Sequence, residues 1–177
     1  MNWFPAIPGW DGIHPAMVMF PVALLLVTPL LVFASFFARG AWRAWAAAAL
    51  VTMALGTVAA WFAVSSGHAA GQLVDKTKEL EGTILRHEAL GMTVRNLFTL
   101  LTLLWAAIVL LPTWIRRPIP QGLRIGVHVL FLAGYVASVG ALARAADAGG
   151  RLVHQQGVQA MVDAPMAKVS PSPPTAK

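Results

Sequence analysis

Apolar positions along the chain fall into four long runs, at residues 15–38, 42–64, 96–115 and 123–143. A helix crosses the hydrocarbon layer of a membrane in about 20 residues at about 1.5 Å of rise each, and every run meets or exceeds that length. The first two runs are joined by "RGAWR" and the last two by "RRPIPQGLR". Joints this tight make antiparallel neighbours. Between the second and third runs lies a longer polar link, in which residues 74–91 read as an outer helix leading into the third span. An Asp75–Lys78 pair at i,i+3 supports that helix; Gly82 and Gly91 weaken it. The pattern predicts an all-α, integral-membrane, four-helix up-down bundle over residues 1–158. The remaining residues, 159–177, are rich in Pro, Ser and Lys, cannot bury a core, and read as a disordered tail.

Composition supports the bilayer as solvent. Hydrophobic residues make up 58% of the chain and charged residues only 11%, against roughly 45–50% and 25% in soluble proteins. With no cysteine, disulfides, iron–sulfur clusters, thiolate metal sites and covalently attached c-type haem are excluded. The net charge of +6 resembles a nucleic-acid signal, but topology accounts for most of it, and no nucleic-acid partner is expected.

The basic residues set the orientation. Arg39, Arg43, Arg116, Arg117 and Arg124 lie in the two tight joints with no acidic residue, whereas charges in the long link balance. The tight joints are therefore expected in the cytoplasm, with both termini and the long link in the periplasm of a bacterial inner membrane. The C-terminal arm, with Arg144, Arg151, Lys168 and Lys177 against two aspartates, argues mildly the other way. The first run lacks a basic n-region and is about twice the usual 7–15 residues of a signal-peptide core, so it reads as a retained span. Trp3, Trp10, Trp42, Trp45, Trp61 and Trp114 fit interfacial anchors.

Five histidines carry the candidate chemistry. With this topology His14, His68, His87 and His154 all lie toward the outer end, one for each span. His14 and His68 are expected near the hydrocarbon boundary. His87 and His154 would rise about 13–16 Å above it if their helices continue, and would then be placed to pair in an outer tier. Gly149–Gly150 offers an alternative, a break that folds His154 back down. Imidazoles on separate helices of a membrane bundle suit b-type haem, held by one or two axial histidines without covalent bonds. They also suit copper or zinc; the neighbouring His87 and Glu88 point about 100° apart on a helix and chelate poorly. The bland alternatives are a helix-starting His14 before Pro15 and solvated or interfacial roles for the others.

His128 lies within the fourth span, about one and a half turns from the cytoplasmic joint. Intramembrane ionisable groups are functional candidates. Tyr135, seven residues on, shares its face. The two suit a hydrogen-bonded pair, an inner quinone contact or a second haem site, with a plain interhelical hydrogen bond as the structural alternative. Pro21 and Pro29 within the first span free the carbonyls of Met17 and Leu25, which then need partners in lipid, and predict a kinked first helix.

"GIHPAMVMFPVALL", "RHEALG" and "GGRLVHQQGV" resemble motifs of a bacterial family of predicted four-span membrane proteins of unknown function. The likeness extends to Val158. It implies a bundle resembling di-haem cytochrome b-type proteins, with some relatives joined to c-type cytochrome domains. In the terminal motif His154 stands where the family has tyrosine and Gln156 where it has histidine, so only His14 and His87 carry over as ligands.

The sequence thus favours an electron-transfer protein binding haem b through His14 and His87, with His68 and His154 in reserve, and exchanging electrons with a periplasmic c-type cytochrome or a quinone. His14 and His87 are equally the metal ligands of the copper or zinc reading. The rival class is a cofactor-free anchoring or assembly subunit of a larger membrane complex, for which the small-residue run "AWAAAALVTMALG" is suited. No nucleophile–base pair, phosphate loop or nucleotide fold points to an independent enzyme, and four spans without an internal repeat argue against a permease.

Overall fold

The computed structural model describes residues 9–10, 12–38, 40–74, 78–115 and 120–158, with side chains of 113–115 excepted. Four helices account for nearly all of it: α1 His14–Phe37, α2 Trp42–Gln72, α3 Lys78–Ile115 and α4 Gln121–His154. All four are long and apolar enough to cross a membrane. Trp3, Asp75, the joint arginines Arg39, Arg116 and Arg117, and the tail 159–177 lie outside the described residues.

Three helices run well past the boundaries expected from hydropathy. α2 continues beyond Val64 to Gln72, α4 beyond Ala143 to His154, and α3 begins at Lys78 rather than Asn96. Of the separate helix expected at 74–91, residues 78–91 are instead the first part of a continuous α3. Its 38 residues rise about 57 Å, against about 30 Å of hydrocarbon. Polar residues end an apolar run, but they do not end a helix that has neighbours to pack on. Arg95 lies 4.2 Å over the ring of Trp61 on α2 and donates from Nε to Asn96, so the polar pair that marked the expected start of the span is held inside the helix. Gly149–Gly150 does not break α4.

α1 packs on α2, α2 on α3, α3 on α4, and α4 closes the ring on α1 over the least extensive of the four interfaces. Among the described residues α1 and α3 are therefore diagonal, as are α2 and α4. The core contains Leu25, Val32, Ala46, Ala49, Met53, Phe98, Trp105 and Tyr135, all fully buried. Leu30, Phe33, Phe37, Leu103 and Leu130 face outward, as a lipid-solvated bundle requires.

Interhelical polar contacts fix the rotation of each helix. Thr57 on α2 bonds Thr102 on α3 at 2.8 Å, and Trp105 donates from Nε1 to the carbonyl of Ala46 at 3.0 Å. Pro21 and Pro29 sit inside a continuous α1. The carbonyl that Pro29 frees, that of Leu25, accepts from the Tyr135 hydroxyl of α4 at 2.7 Å. A tyrosine across the bundle thus replaces the donor that proline lacks, and it does so at the seam where α1 and α4 touch least.

Candidate functional site

At the end of the bundle away from the tight joints, α1 starts with His14 as its first residue and Pro15 in its first turn. His14 is not a helix cap: the N-cap position is Ile13, without a side-chain cap bond. Its imidazole crosses to α2, where Nδ1 lies 2.9 Å from the carbonyl of Ala63 and 3.3 Å from Ser66 Oγ. A carbonyl can only accept, so Nδ1 carries the proton and Nε2 is left with a free lone pair. Ser66 and Gly67 lie three and four residues beyond Ala63 and so both stand beside its face of the helix. A Cβ on Gly67 would come within 2.7 Å of His14 Cε1; the ring occupies the space that any other residue would fill.

His87 on α3 repeats this arrangement in the other hairpin. Its Nδ1 lies 3.1 Å from the carbonyl of Ala145 on α4, which again fixes the proton on Nδ1 and leaves Nε2 free. Gly149, one turn beyond Ala145, makes room: a Cβ there would lie 2.9 Å from His87 Cε1. The two rings meet across the bundle with centroids 6.3 Å apart and planes inclined by 76°.

A family model described as "Predicted membrane protein (DUF2231)" matches residues 11–161. The chain belongs to this family. The match spans all four helices and takes in both halves of the histidine pair. No curated protein and no solved structure matches the chain.

The remaining sequence candidates lie elsewhere. His87 pairs with His14 and not with His154 in an outer tier, because His14, His87, Ala145 and Gly149 occupy one level of the bundle. His68 points away from the pair: its side chain is 64% exposed, with Nδ1 3.4 Å from Glu88 Oε1 and Nε2 3.1 Å from Gln72 Nε2. Glu88 is thereby turned to His68 although it adjoins His87. His154 is exposed at the end of α4 in a shallow surface depression with Asp147 and Arg151.

His128 and Tyr135 do not bond each other. His128 Nδ1 lies 2.8 Å from the carbonyl of Arg124 on its own helix, and Tyr135 is committed to Leu25. Phe131, whose ring lies 6.0 Å from that of Tyr135, occupies the face between them. The ring of His128 instead packs edgewise on Phe36 and Trp105.

Sequence reasoning missed the carbonyls of Ala63 and Ala145, which orient the two imidazoles. Backbone acceptors leave no mark in the residue types. Gly67 and Gly149, each one turn beyond its carbonyl, were the available signal.

Proposed function

We propose that this protein is a membrane-embedded electron carrier that holds a b-type haem between His14 and His87. The observation that supports it is the pair itself: two half-buried imidazoles on diagonal helices, each with Nδ1–H tied to a backbone carbonyl and Nε2 free. Metal-binding histidines characteristically donate their second nitrogen in this way, which fixes tautomer and ring orientation.

The residues fit the group. Imidazole nitrogen binds a first-row metal at about 2.0–2.1 Å, which sets two rings on opposite sides of one ion about 6 Å apart, centroid to centroid. The observed centroid distance of 6.3 Å is close to that separation. Donor number also favours haem over a bare ion. Among the described residues no group of three or more His, Cys, Asp or Glu could hold a metal, and tetrahedral zinc wants four ligands. Haem iron needs only axial donors from the protein. Bound there, haem supplies a one-electron couple. His14 and His87 would hold it, and their bonds to Ala63, Ser66 and Ala145 keep the rings from turning.

Of the small residues in the run behind the cofactor-free subunit reading, Ala46, Ala49 and Gly56 are buried inside the bundle, whereas Ala44, Ala47 and Ala48 are exposed and leave a face for a partner helix. We place the histidine end on the periplasmic side of an inner membrane, because the arginine-rich joints are at the other end. A periplasmic c-type cytochrome or a quinone is then the redox partner.

The test is a reduced-minus-oxidised visible spectrum of the purified full chain in detergent. Sharp b-type bands, lost in His14→Ala and in His87→Ala, support the reading. A folded, colourless wild type from haem-replete cells contradicts it.

A further inference from the structure

The opposite end of the bundle carries a second, separate site. A cleft of about 100 Å³ is lined by Trp42 of α2 and by Gln121, Arg124, Ile125 and His128 of α4, with Phe36 of α1 at its side. It lies about 25 Å along α4 from Ala145. Its volume is well below the roughly 300–1,000 Å³ of pockets that enclose whole drug-sized ligands. It suits one polar headgroup rather than a macrocycle.

Three features give the cleft its chemistry. The first is positive potential. The guanidiniums of Arg43 and Arg124 lie 5.5 Å and 5.6 Å from the centroid of the Trp42 ring. The N-termini of α2 and α4 are here too, with no acidic residue in either first turn. Free N–H groups and partial positive charge at a helix start attract phosphate.

The second is His128, only 6% exposed and lining the cleft. Its Nδ1–H is held by the Arg124 carbonyl at 2.8 Å. Nε2 has no hydrogen-bond partner among the described residues, and no buried side-chain nitrogen there is left unpartnered, so Nε2 is an accessible acceptor on a residue that lines the cleft. The third is the surround: Phe33, Phe37, Leu123, Ile125 and Val129 are exposed apolar residues beside it, and they form a surface for acyl chains.

We infer that this cleft binds a glycerol-phosphate group, with Arg124 and the start of α4 holding the phosphate and His128 Nε2 accepting from a glycerol hydroxyl. The apolar surround points to the headgroup of an anionic membrane phospholipid as its source. The inference is independent of the haem reading.

The test uses the full chain in nanodiscs or detergent, with retained lipid measured by native mass spectrometry. Phosphatidylglycerol is expected to bind about tenfold more tightly than phosphatidylcholine, the scale of one charge-assisted hydrogen bond. Arg124→Gln should remove that preference and Arg124→Lys restore part of it. Arg124 is exposed, so neither change disturbs the core. His128→Phe, which keeps a ring against Trp105, should retain the charge preference but lose the preference for phosphatidylglycerol over hydroxyl-free phosphatidylethanol, about threefold to fivefold. Soluble glycerol 3-phosphate competing in the absence of lipid would support the same chemistry with a free ligand as its source. Equal retention of all four ligands by the wild type, or a preference unchanged in Arg124→Gln, would overturn the inference.

Discussion

The imidazoles of His14 and His87 come from diagonally opposed helices and stand 6.3 Å apart with planes inclined by 76°. Each is anchored to the other helix of its own hairpin, His14 to Ala63 of α2 and His87 to Ala145 of α4. The pair therefore spans the seam between two hairpins, and a group bound to it would tie the hairpins together.

Rings held at this inclination would mark the spectrum of a haem bound between them. Near-perpendicular axial imidazoles leave the two π-bonding iron orbitals close in energy, which gives a strongly anisotropic low-spin signal. The frozen ferric protein should show that signal in electron paramagnetic resonance. The three well-separated g values of parallel imidazoles would mean that the rings rotate on binding.

Gly67 and Gly149 should be intolerant of even a methyl group. A Cβ at these positions falls 2.7 Å and 2.9 Å from the imidazoles, so Gly67→Ala or Gly149→Ala must shift a ring against its carbonyl bond. Losing one such bond costs about 1–3 kcal/mol of preorganisation. Haem retained after purification should drop about tenfold in each variant with helical content unchanged. Gly140→Ala, with open space around its Cβ, is the control and should retain wild-type haem.

Tyr135 and Pro29 should be energetically coupled. In the wild type, Tyr135→Phe strands the Leu25 carbonyl that the Tyr135 hydroxyl serves at 2.7 Å, at a cost of about 1–2 kcal/mol in the membrane setting. In a Pro29→Ala background the backbone N–H returns as a donor, and the same change should cost less than half as much. Unfolding in mixed micelles measures the cycle; equal costs in both backgrounds would show that the two are independent.

His68 separates the pair from a looser histidine-lined pocket. Because it faces Glu88 at 3.4 Å and is largely exposed, His68→Ala should leave the haem bands and their amplitude unchanged. A loss of colour equal to that in His87→Ala would place His68 among the ligands.

Much of the fold was legible in the sequence. Four apolar runs with two tight joints specify an antiparallel bundle, and the family that the first-span motif resembles is the family the chain belongs to. Helix ends away from the tight joints were not legible, because Arg95, Asn96 and Arg144 read as the edge of the hydrocarbon layer. A helix packed on its neighbours passes through that edge without a change of conformation. The error carried into the heights of the histidines: counting from Asn96 lifted His87 above His14, whereas the structure puts them level. The need for a partner at the Leu25 carbonyl was readable from Pro29, and Tyr135 was visible as a polar group in the fourth span. Their meeting depends on the rotation of α4 about its axis, which side-chain packing sets and periodicity alone does not.

Haem titration of the full apo-chain in detergent tests the central claim most directly. The wild type should saturate at one equivalent per chain with six-coordinate, low-spin b-type bands, and His14→Ala and His87→Ala should each fail to develop them. Binding that neither variant affects, or a folded wild type that develops no such bands, would contradict the assignment of this pair as the cofactor site.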